Sequence, residues 1–197
     1  PPYYKLSATS RHARTMKELN LGQPNAYAFF MALSLQLLKQ DGEMVFITPR
    51  SFCSGLYYKK FREWLLEHAV FSRVHVFESR NEVFEREGVL QENIIFKVTP
   101  KNTERDVSPV EITVSKNHAL TDLKTHEVSA ADIVHNMNGD AFIKIPTSRI
   151  DMLIQQAIKD WKCTLHDFGL EVATGQIVVF RAKELLIDFI DEKTTSP

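Results

Sequence analysis

The chain has 197 residues, of which 44% are hydrophobic and 25% are charged, as is usual for a globular protein with one sizeable core. Its formal net charge of -1 gives no overall attraction to nucleic acid or to a membrane surface, so any DNA contact must depend on local basic patches. No apolar run approaches the roughly 18 residues of a membrane span, and no signal peptide is visible. We therefore expect a cytoplasmic protein.

The first four residues, Pro1-Pro2-Tyr3-Tyr4, form an unusual beginning, and no initiator Met precedes them. Proline fixes φ, lacks a backbone N–H and pushes the preceding residue out of the helical region. The result is a stiff, extended backbone whose carbonyls lie free beside an aromatic ring. Such stiffness suits a binding site better than a fraying terminus.

Residues 3–24 are polar and basic and predict a loop with a short helix near residues 15–19. Two interpretations stay open for this segment. It is either a solvated surface loop or a lid over a site beside Tyr3. In the second case its basic side chains would contact DNA phosphates. The candidates for these contacts are Lys5, Arg11 and Arg14.

Helical periodicity follows from Asn25, a suitable N-cap, to a stop at Gly42. We expect this helix to bury its stripe of large apolar side chains, which are Phe29, Phe30, Leu33, Leu37 and Leu38. Residues 43–48 predict a buried strand that Pro49 ends. Residues 57–68 predict a second helix with Phe61, Trp64 and Leu65 inward and a solvated basic face that includes Arg62.

Residues 71–78 and 92–98 predict two more strands, so helices alternate with apolar strands and the expected class is α/β. After Val98 the composition becomes polar, and residues 110–115 predict a short strand. Ser148 begins an amphipathic helix whose apolar side carries Ile150, Leu153, Ile154, Ala157, Ile158 and Trp161. We therefore predict three regions: 1–98, a linker or insert at 99–146, and 147–197.

Four blocks occur in an informative order: Pro-Pro-Tyr at residues 1–3, an Asn-x-Tyr helix, the strand in DGEMVFITPRSF and the strand in VLQENIIF. In this order they resemble the Eco57I-type N6-adenine DNA methyltransferases of type II restriction–modification systems. The segment VATGQIVVFR at residues 172–181 similarly resembles the start of that family's target-recognition region. The resemblance implies the C-terminal half of a Rossmann-like methyltransferase sheet, followed by the start of a target-recognition region.

The family's catalytic motif is Asn-Pro-Pro-Tyr or a close variant, so the resemblance gives catalytic positions to Pro1, Pro2 and Tyr3. It implies that the carbonyl of Pro1 accepts a hydrogen bond from the target amino group. It also implies that Tyr3 and Phe96 stack on a flipped adenine. For Phe96 an ordinary core position in a buried strand stays open, since strand alternation alone does not say which face it takes.

Arg50 and Ser51 directly follow a predicted strand, and loops at the carboxyl ends of strands form the ligand crevice of open α/β sheets. They are candidates for contact with DNA phosphate or with the flipped nucleotide. The alternative for Arg50 is an ion pair with a local carboxylate. Cys53 is not expected to act as a nucleophile, because no base is paired with it. None of the seven histidines lies at metal-ligand spacing, so we assign no metal.

The implied cofactor is S-adenosylmethionine, yet no G-x-G turn occurs in the chain. The motif Asn and the cofactor loop would both precede Pro1, so we expect a fragment that is inactive alone. The implied partner is double-stranded DNA, and an exposed sheet edge would favour self-association. Two alternatives stay open: a noncatalytic DNA- or partner-binding fragment, and a methyltransferase that acts on protein glutamine.

Overall fold

A computed structural model describes residues 2–21, 25–78, 92–101, 109–117, 119–137, 139–159, 161 and 163–172. The chain forms two compact units, Pro1–Leu153 and Ile154–Pro197. The described helices are α1 (Arg11–Glu18), α2 (Ala26–Leu37), α3 (Lys59–His68), α4 (Ala130–Ile133) and α5 (Arg149–Lys159). The described strands are β1 (Met44–Pro49), β2 (Ala69–Phe77), β3 (Asn93–Pro100), β4 (Val110–Ser115), β5 (Lys124–Val128), β6 (Val134–Met137) and β7 (Asp140–Ile143).

A five-stranded sheet in the order β1-β3-β2-β4-β5 organises the first unit. Strand β3 is antiparallel to both of its neighbours, β1 and β2, and β4 is parallel to β2. Strands β1, β2 and β4 therefore run in the same direction and end at one edge of the sheet. We call this the carboxyl edge. The predicted α/β class is confirmed.

Strand β4 lies beyond the predicted end of the first region at residue 98, yet it joins the same sheet through β2. Pairs such as Val74–Ile112 and Val76–Val114 form this parallel ladder. Strand β5 then closes the other end of the sheet by antiparallel pairing with β4. The division of the chain at residues 98 and 146 stays a prediction.

Helix α2 buries a different face from the predicted one. Its buried residues are Ala26, Tyr27, Ala28, Met31, Ala32 and Leu35. Phe30, Leu33 and Leu37 are instead 41%, 40% and 75% exposed. The helix is apolar on nearly every side, so large side chains do not identify its buried face. Its alanines allow the backbone to approach the core closely.

Two further predictions near the chain start need correction. Helix α1 begins at Arg11, four residues before the predicted start, and the Ser10 hydroxyl caps it by accepting from the Ala13 N–H at 3.2 Å. Asn25 does occupy the N-cap position of α2, but its side chain makes no capping hydrogen bond. It donates to the Tyr58 hydroxyl instead.

Residues 116–146, whose sequence pattern is weak, contain β5, α4 and the β6–β7 hairpin. Helix α5 follows as predicted, and the Ser148 hydroxyl caps it by accepting from the Asp151 N–H at 3.1 Å. Its apolar side chains are largely exposed; Ile150, for example, is 67% exposed. The sequence of residues 169–186 predicts two strands joined by a turn, but this segment lies outside the described residues apart from 169–172, which form no strand.

Candidate active site

The opening segment lies against the end of β1 and the start of α2. The hydroxyl of half-buried Tyr3 donates to the Ile47 carbonyl at 2.8 Å. The Ala26 N–H donates to the Tyr4 carbonyl at 3.0 Å. The backbones of Lys5 and Asn25 pair in an isolated antiparallel β-bridge. Pro2 is exposed, whereas Pro1 lies outside the described residues. These contacts fix Tyr3 next to the carboxyl edge of the sheet.

Tyr3 of this segment belongs to an aromatic cluster with Tyr27 and Tyr58. The Tyr3 ring meets Tyr27 edge-on at 6.2 Å between centroids, and Tyr27 stacks on Tyr58 at 5.7 Å. Tyr27 and Ser51 share a hydrogen bond between their hydroxyls at 3.1 Å. Burial raises the pKa of Tyr27, so its hydroxyl stays neutral and can donate.

The sequence pattern predicts Tyr27 and Tyr58 only as parts of two helices and gives neither of them a place in the site. The Asn-x-Tyr pattern was the available signal, because it puts Asn25 and Tyr27 two residues apart at the start of α2. In the structure, Asn25 and Tyr27 both contact Tyr58. The pattern therefore marks a cluster of side chains as well as a helix start.

Arg50 and Ser51 lie at the carboxyl edge, as predicted from their position after β1. The Arg50 N–H donates to the Glu92 carbonyl at 2.7 Å, and the Arg50 guanidinium pairs with the Glu92 carboxylate at 3.7 Å. The alternative of a local carboxylate partner is thus what the structure shows for Arg50. Ser51 is exposed, and its hydroxyl shares a hydrogen bond with the Tyr27 hydroxyl.

Arg50 also lines a cleft of about 270 Å³ at the carboxyl edge. The other lining residues are Val76, Phe77, Glu78, Glu92, Asn93 and Thr147. Two carboxylates and one guanidinium line this cleft, and the Glu78 carboxylate also lies 3.6 Å from the Lys124 ammonium, so the lining carries no excess of positive charge for an anionic ligand. A phosphate contact by Arg50 stays a prediction that requires the Glu92 pair to open.

The three basic candidates near the start of the chain are exposed. Arg11 and Arg14 stand three residues apart on α1, so they share one side of the helix, and Lys5 precedes the helix. The helix is docked on the core, because Met16 is buried and the His12 ring contacts Phe29 edge-on at 5.0 Å. Phosphate contacts by Lys5, Arg11 and Arg14 stay a prediction.

Phe96 does not lie at the site, and its predicted stacking role is wrong for this structure. It is fully buried in β3, opposite Phe46 of β1. Its ring packs against Phe46, Phe52 and Phe71 at centroid distances of 6.4, 5.5 and 5.5 Å. The alternation of β3 turns this side chain toward the helices that cover the sheet, so the core interpretation holds.

Arg62 is likewise not on a solvated face, because its side chain is 0% exposed. Its Nη2 donates to the Asp140 carboxylate at 2.8 Å, and its Nε donates to the Ala141 carbonyl. Its Nη1 donates to the carbonyls of Phe52 and Gly55, both at 3.0 Å. The guanidinium also lies 5.2 Å from the centre of the Phe142 ring, within cation–π range.

Other candidate chemistry is weak in the described part of the chain. Cys53 is fully buried, and burial raises its pKa to about 12, so the thiol is not a nucleophile near neutral pH. Among the described residues, no group of three His, Cys, Asp or Glu side chains could hold a metal ion. No helix within the described ranges is both long and apolar enough to cross a membrane.

Residues 1–84 match the Eco57I restriction-modification methylase family. The chain is 37% identical over 188 residues to the type II methyltransferase M.PstI of Providencia stuartii, a match that covers 94% of this chain and 36% of that protein. It is 34% identical over 194 residues to the type II methyltransferase M.BsuBI of Bacillus subtilis, which covers 98% of this chain and 38% of that protein. The chain thus spans little more than a third of these relatives.

Among solved structures, the type IIG restriction endonuclease BpuSI is similar with a TM-score of 0.47 and 17% identity. That match covers 67% of this chain and 18% of the BpuSI chain. A type I restriction-modification methyltransferase subunit from Streptococcus thermophilus is similar with a TM-score of 0.42 and 17% identity. The second match covers 81% of this chain and 30% of that subunit.

Proposed function

We propose that the chain is part of a DNA methyltransferase that modifies N6 of adenine, and the match of residues 1–84 to the Eco57I restriction-modification methylase family supports this. The observation that carries the proposal is the position of Tyr3. It follows two prolines and is fixed at the carboxyl edge by its bond to Ile47 and its contact with Tyr27. Loops at this edge hold the ligand in open α/β sheets.

The adenine amino nitrogen is a poor nucleophile because its lone pair is delocalised into the ring. Two acceptors aimed at its hydrogens draw the nitrogen toward tetrahedral geometry and localise that lone pair. In our proposal one acceptor is the Pro1 carbonyl, and the other is an Asn side chain directly before Pro1. The proline pair holds the accepting carbonyl still, so the contribution is electrostatic positioning without a covalent intermediate.

The target base must leave the duplex before it can meet these acceptors. Tyr3 supplies one stacking face for it, and stacking of this kind is worth about 1–3 kcal/mol per base. The Tyr27 ring contacts Tyr3 edge-on and stacks on Tyr58, so packed side chains support Tyr3. The chain's own residues therefore bind and orient the base.

The methyl donor of the proposed reaction is S-adenosylmethionine, which carries its transferable methyl group on a sulfonium. A Gly-rich turn after a strand is the usual support for such a cofactor, and the chain contains no G-x-G. The residues present therefore do not fit a complete cofactor site. The proposal assigns that site to residues that precede Pro1.

Sequencing the coding DNA upstream of the Pro1 codon tests the proposal. We expect an Asn, Asp or Ser codon directly before Pro1 and a Gly-rich cofactor loop further upstream. A reading frame that starts at Pro1 would instead support a noncatalytic binding fragment.

The 197-residue chain alone should bind S-adenosylmethionine weakly or not at all, because most of the cofactor site would be missing. Isothermal titration calorimetry of the chain with the cofactor checks this expectation. The control is the longer protein that we propose to contain this chain, which we call the parent protein. It should bind the cofactor when it is titrated in the same buffer. Micromolar binding to the chain alone would contradict the assignment of the site to upstream residues.

The isolated chain should also self-associate, because β1 is an edge strand of the described sheet and its Val45 is 61% exposed. The exposed Phe30, Leu33 and Leu37 of α2 add apolar surface. Light scattering after gel filtration should give a mass above that of a monomer. Val45→Lys combined with Leu37→Lys should shift the chain toward monomer, whereas Leu56→Lys, at another exposed position, should not. A monodisperse wild-type monomer would count against this expectation.

A further inference from the structure

One buried side chain ties three separate segments together. Arg62 belongs to α3, and its side chain is fully buried. Its guanidinium donates to two carbonyls of the loop after β1, those of Phe52 and Gly55. The same guanidinium donates to Asp140 and Ala141 at the start of β7. The β6–β7 hairpin is thus connected through Arg62 to the loop at residues 50–55.

Hydrogen bonds connect that loop to the candidate site. The Gly55 N–H donates to the Ser51 carbonyl at 2.9 Å, and the Ser51 hydroxyl bonds to Tyr27 at 3.1 Å. The Tyr58 N–H donates to the Gly55 carbonyl at 3.0 Å, so that one carbonyl accepts from both Arg62 and Tyr58. Tyr27 in turn contacts Tyr3. The loop therefore sets the position of two of the three tyrosines.

We propose that Arg62 and Asp140 are positioning residues, which hold the 50–55 loop, and through it the tyrosine cluster, in the geometry that receives the target base. The inference rests on the proposed function for the identity of the bound group. Asp140 lies well beyond residues 1–84, which match the methylase family. The β6–β7 hairpin then supports the site from outside the matched region.

A purely stabilising role explains the arrangement less well. A buried ion pair often contributes no more stability than well-packed apolar residues of the same volume. The planar fork of arginine, however, reaches two carbonyls and a carboxylate in fixed directions, which a lysine or an apolar side chain does not reproduce. The Arg62–Asp140 pair therefore contributes more to the position of the loop than to the stability of the fold.

Hydrogen exchange on the 197-residue chain tests the role without any assay of activity. In Asp140→Asn, which keeps an acceptor oxygen for Arg62, we expect exchange of the Gly55 and Tyr58 amides to accelerate about tenfold relative to amides of the β2–β3 ladder. Ile112→Val is the matched control, because it weakens the core and should change loop and ladder amides together. Equal acceleration of loop and ladder in Asp140→Asn would overturn the proposal.

A second variant keeps the test decisive if Asp140→Asn unfolds. Arg62→Met combined with Asp140→Leu removes both charges, so it avoids an unpaired buried ion. We expect this variant to fold with a protected β2–β3 ladder while the Gly55 and Tyr58 amides exchange about tenfold faster or more. Protection of these two amides at the wild-type level would overturn the proposal.

In the parent enzyme, Asp140→Asn should lower kcat for methyl transfer by about tenfold or more while KM for DNA stays within about twofold, because misplacement far from the chemistry affects the reacting geometry. An unchanged kcat would overturn the positioning role. A wild-type parent without methyl transfer would refute the proposed function instead, and the exchange result would still decide whether Arg62 and Asp140 hold the loop.

Discussion

We expect replacement of Arg62 by Ala to lower the free energy of unfolding by about 3–5 kcal/mol, which is the usual cost of breaking a buried ion pair from one side. The Asp140 side chain, which is 11% exposed, loses its guanidinium partner in this variant. The carbonyls of Phe52, Gly55 and Ala141 also lose a donor. A domain is stable by only about 5–15 kcal/mol in total, so this change is severe. Urea unfolding followed by circular dichroism measures it.

Arg73→Ala is the matched control, because it also breaks an ion pair between an arginine and a carboxylate, here Glu111. The Arg73 Nε lies 3.2 Å from the Glu111 carboxylate, but the Arg73 side chain is 63% exposed. Surface pairs of this kind contribute about 0–1 kcal/mol. Similar losses in the two variants would show that the burial of Arg62 has no energetic consequence and would contradict this part of the account.

We expect replacement of Tyr3 by Ala in the parent enzyme to lower kcat by a factor of about 5–150, which corresponds to the loss of one stacking contact of about 1–3 kcal/mol. Nonspecific DNA binding should change less than twofold, because it depends on phosphate contacts. Single-turnover methylation and DNA binding at fixed salt measure the two quantities. Tyr3→Phe should retain most activity, since it keeps the aromatic ring and loses the hydroxyl bond to Ile47.

Tyr4→Ala is the neighbouring control, because Tyr4 is 59% exposed and the described contact at this position is made by its backbone carbonyl. We expect little change in kcat for this variant. Parallel losses of turnover and nonspecific DNA binding in Tyr3→Ala would argue against a stacking role for Tyr3.

Periodicity predicted the elements whose patterns are unambiguous. Strands β1, β2 and β3 and helix α3 were expected from apolar runs bounded by turn residues, and all four are confirmed. The inward positions of Phe61 and Leu65 on α3 are also confirmed. In these elements the spacing of apolar residues identifies both the type of element and its buried side.

The sequence was less informative where burial depends on distant partners. A helix that is apolar all round, such as α2, gives no periodic signal for its buried face. The burial of Phe96 depends on the register between β1 and β3, which places Phe96 opposite Phe46. Arg62 carries a charge that is buried in the core with a carboxylate 78 residues away as its ion-pair partner. No local pattern contains these long-range contacts.

The candidate site was predictable in its location and only partly in its members. Residues after β1 were expected at the carboxyl edge, and Arg50 and Ser51 do lie there. The tyrosines that support Tyr3 come from α2 and from the turn before α3. Their contacts arise only when these two elements pack together, which explains why the sequence alone did not identify them.

Analysis of methylated nucleosides tests the central claim most directly. The parent protein is incubated with duplex DNA and S-adenosylmethionine, the DNA is digested, and the nucleosides are identified by mass spectrometry. The account predicts N6-methyladenine, strongly reduced in Tyr3→Ala. Methylation of cytosine alone, or of a protein glutamine with unmodified DNA, would contradict it.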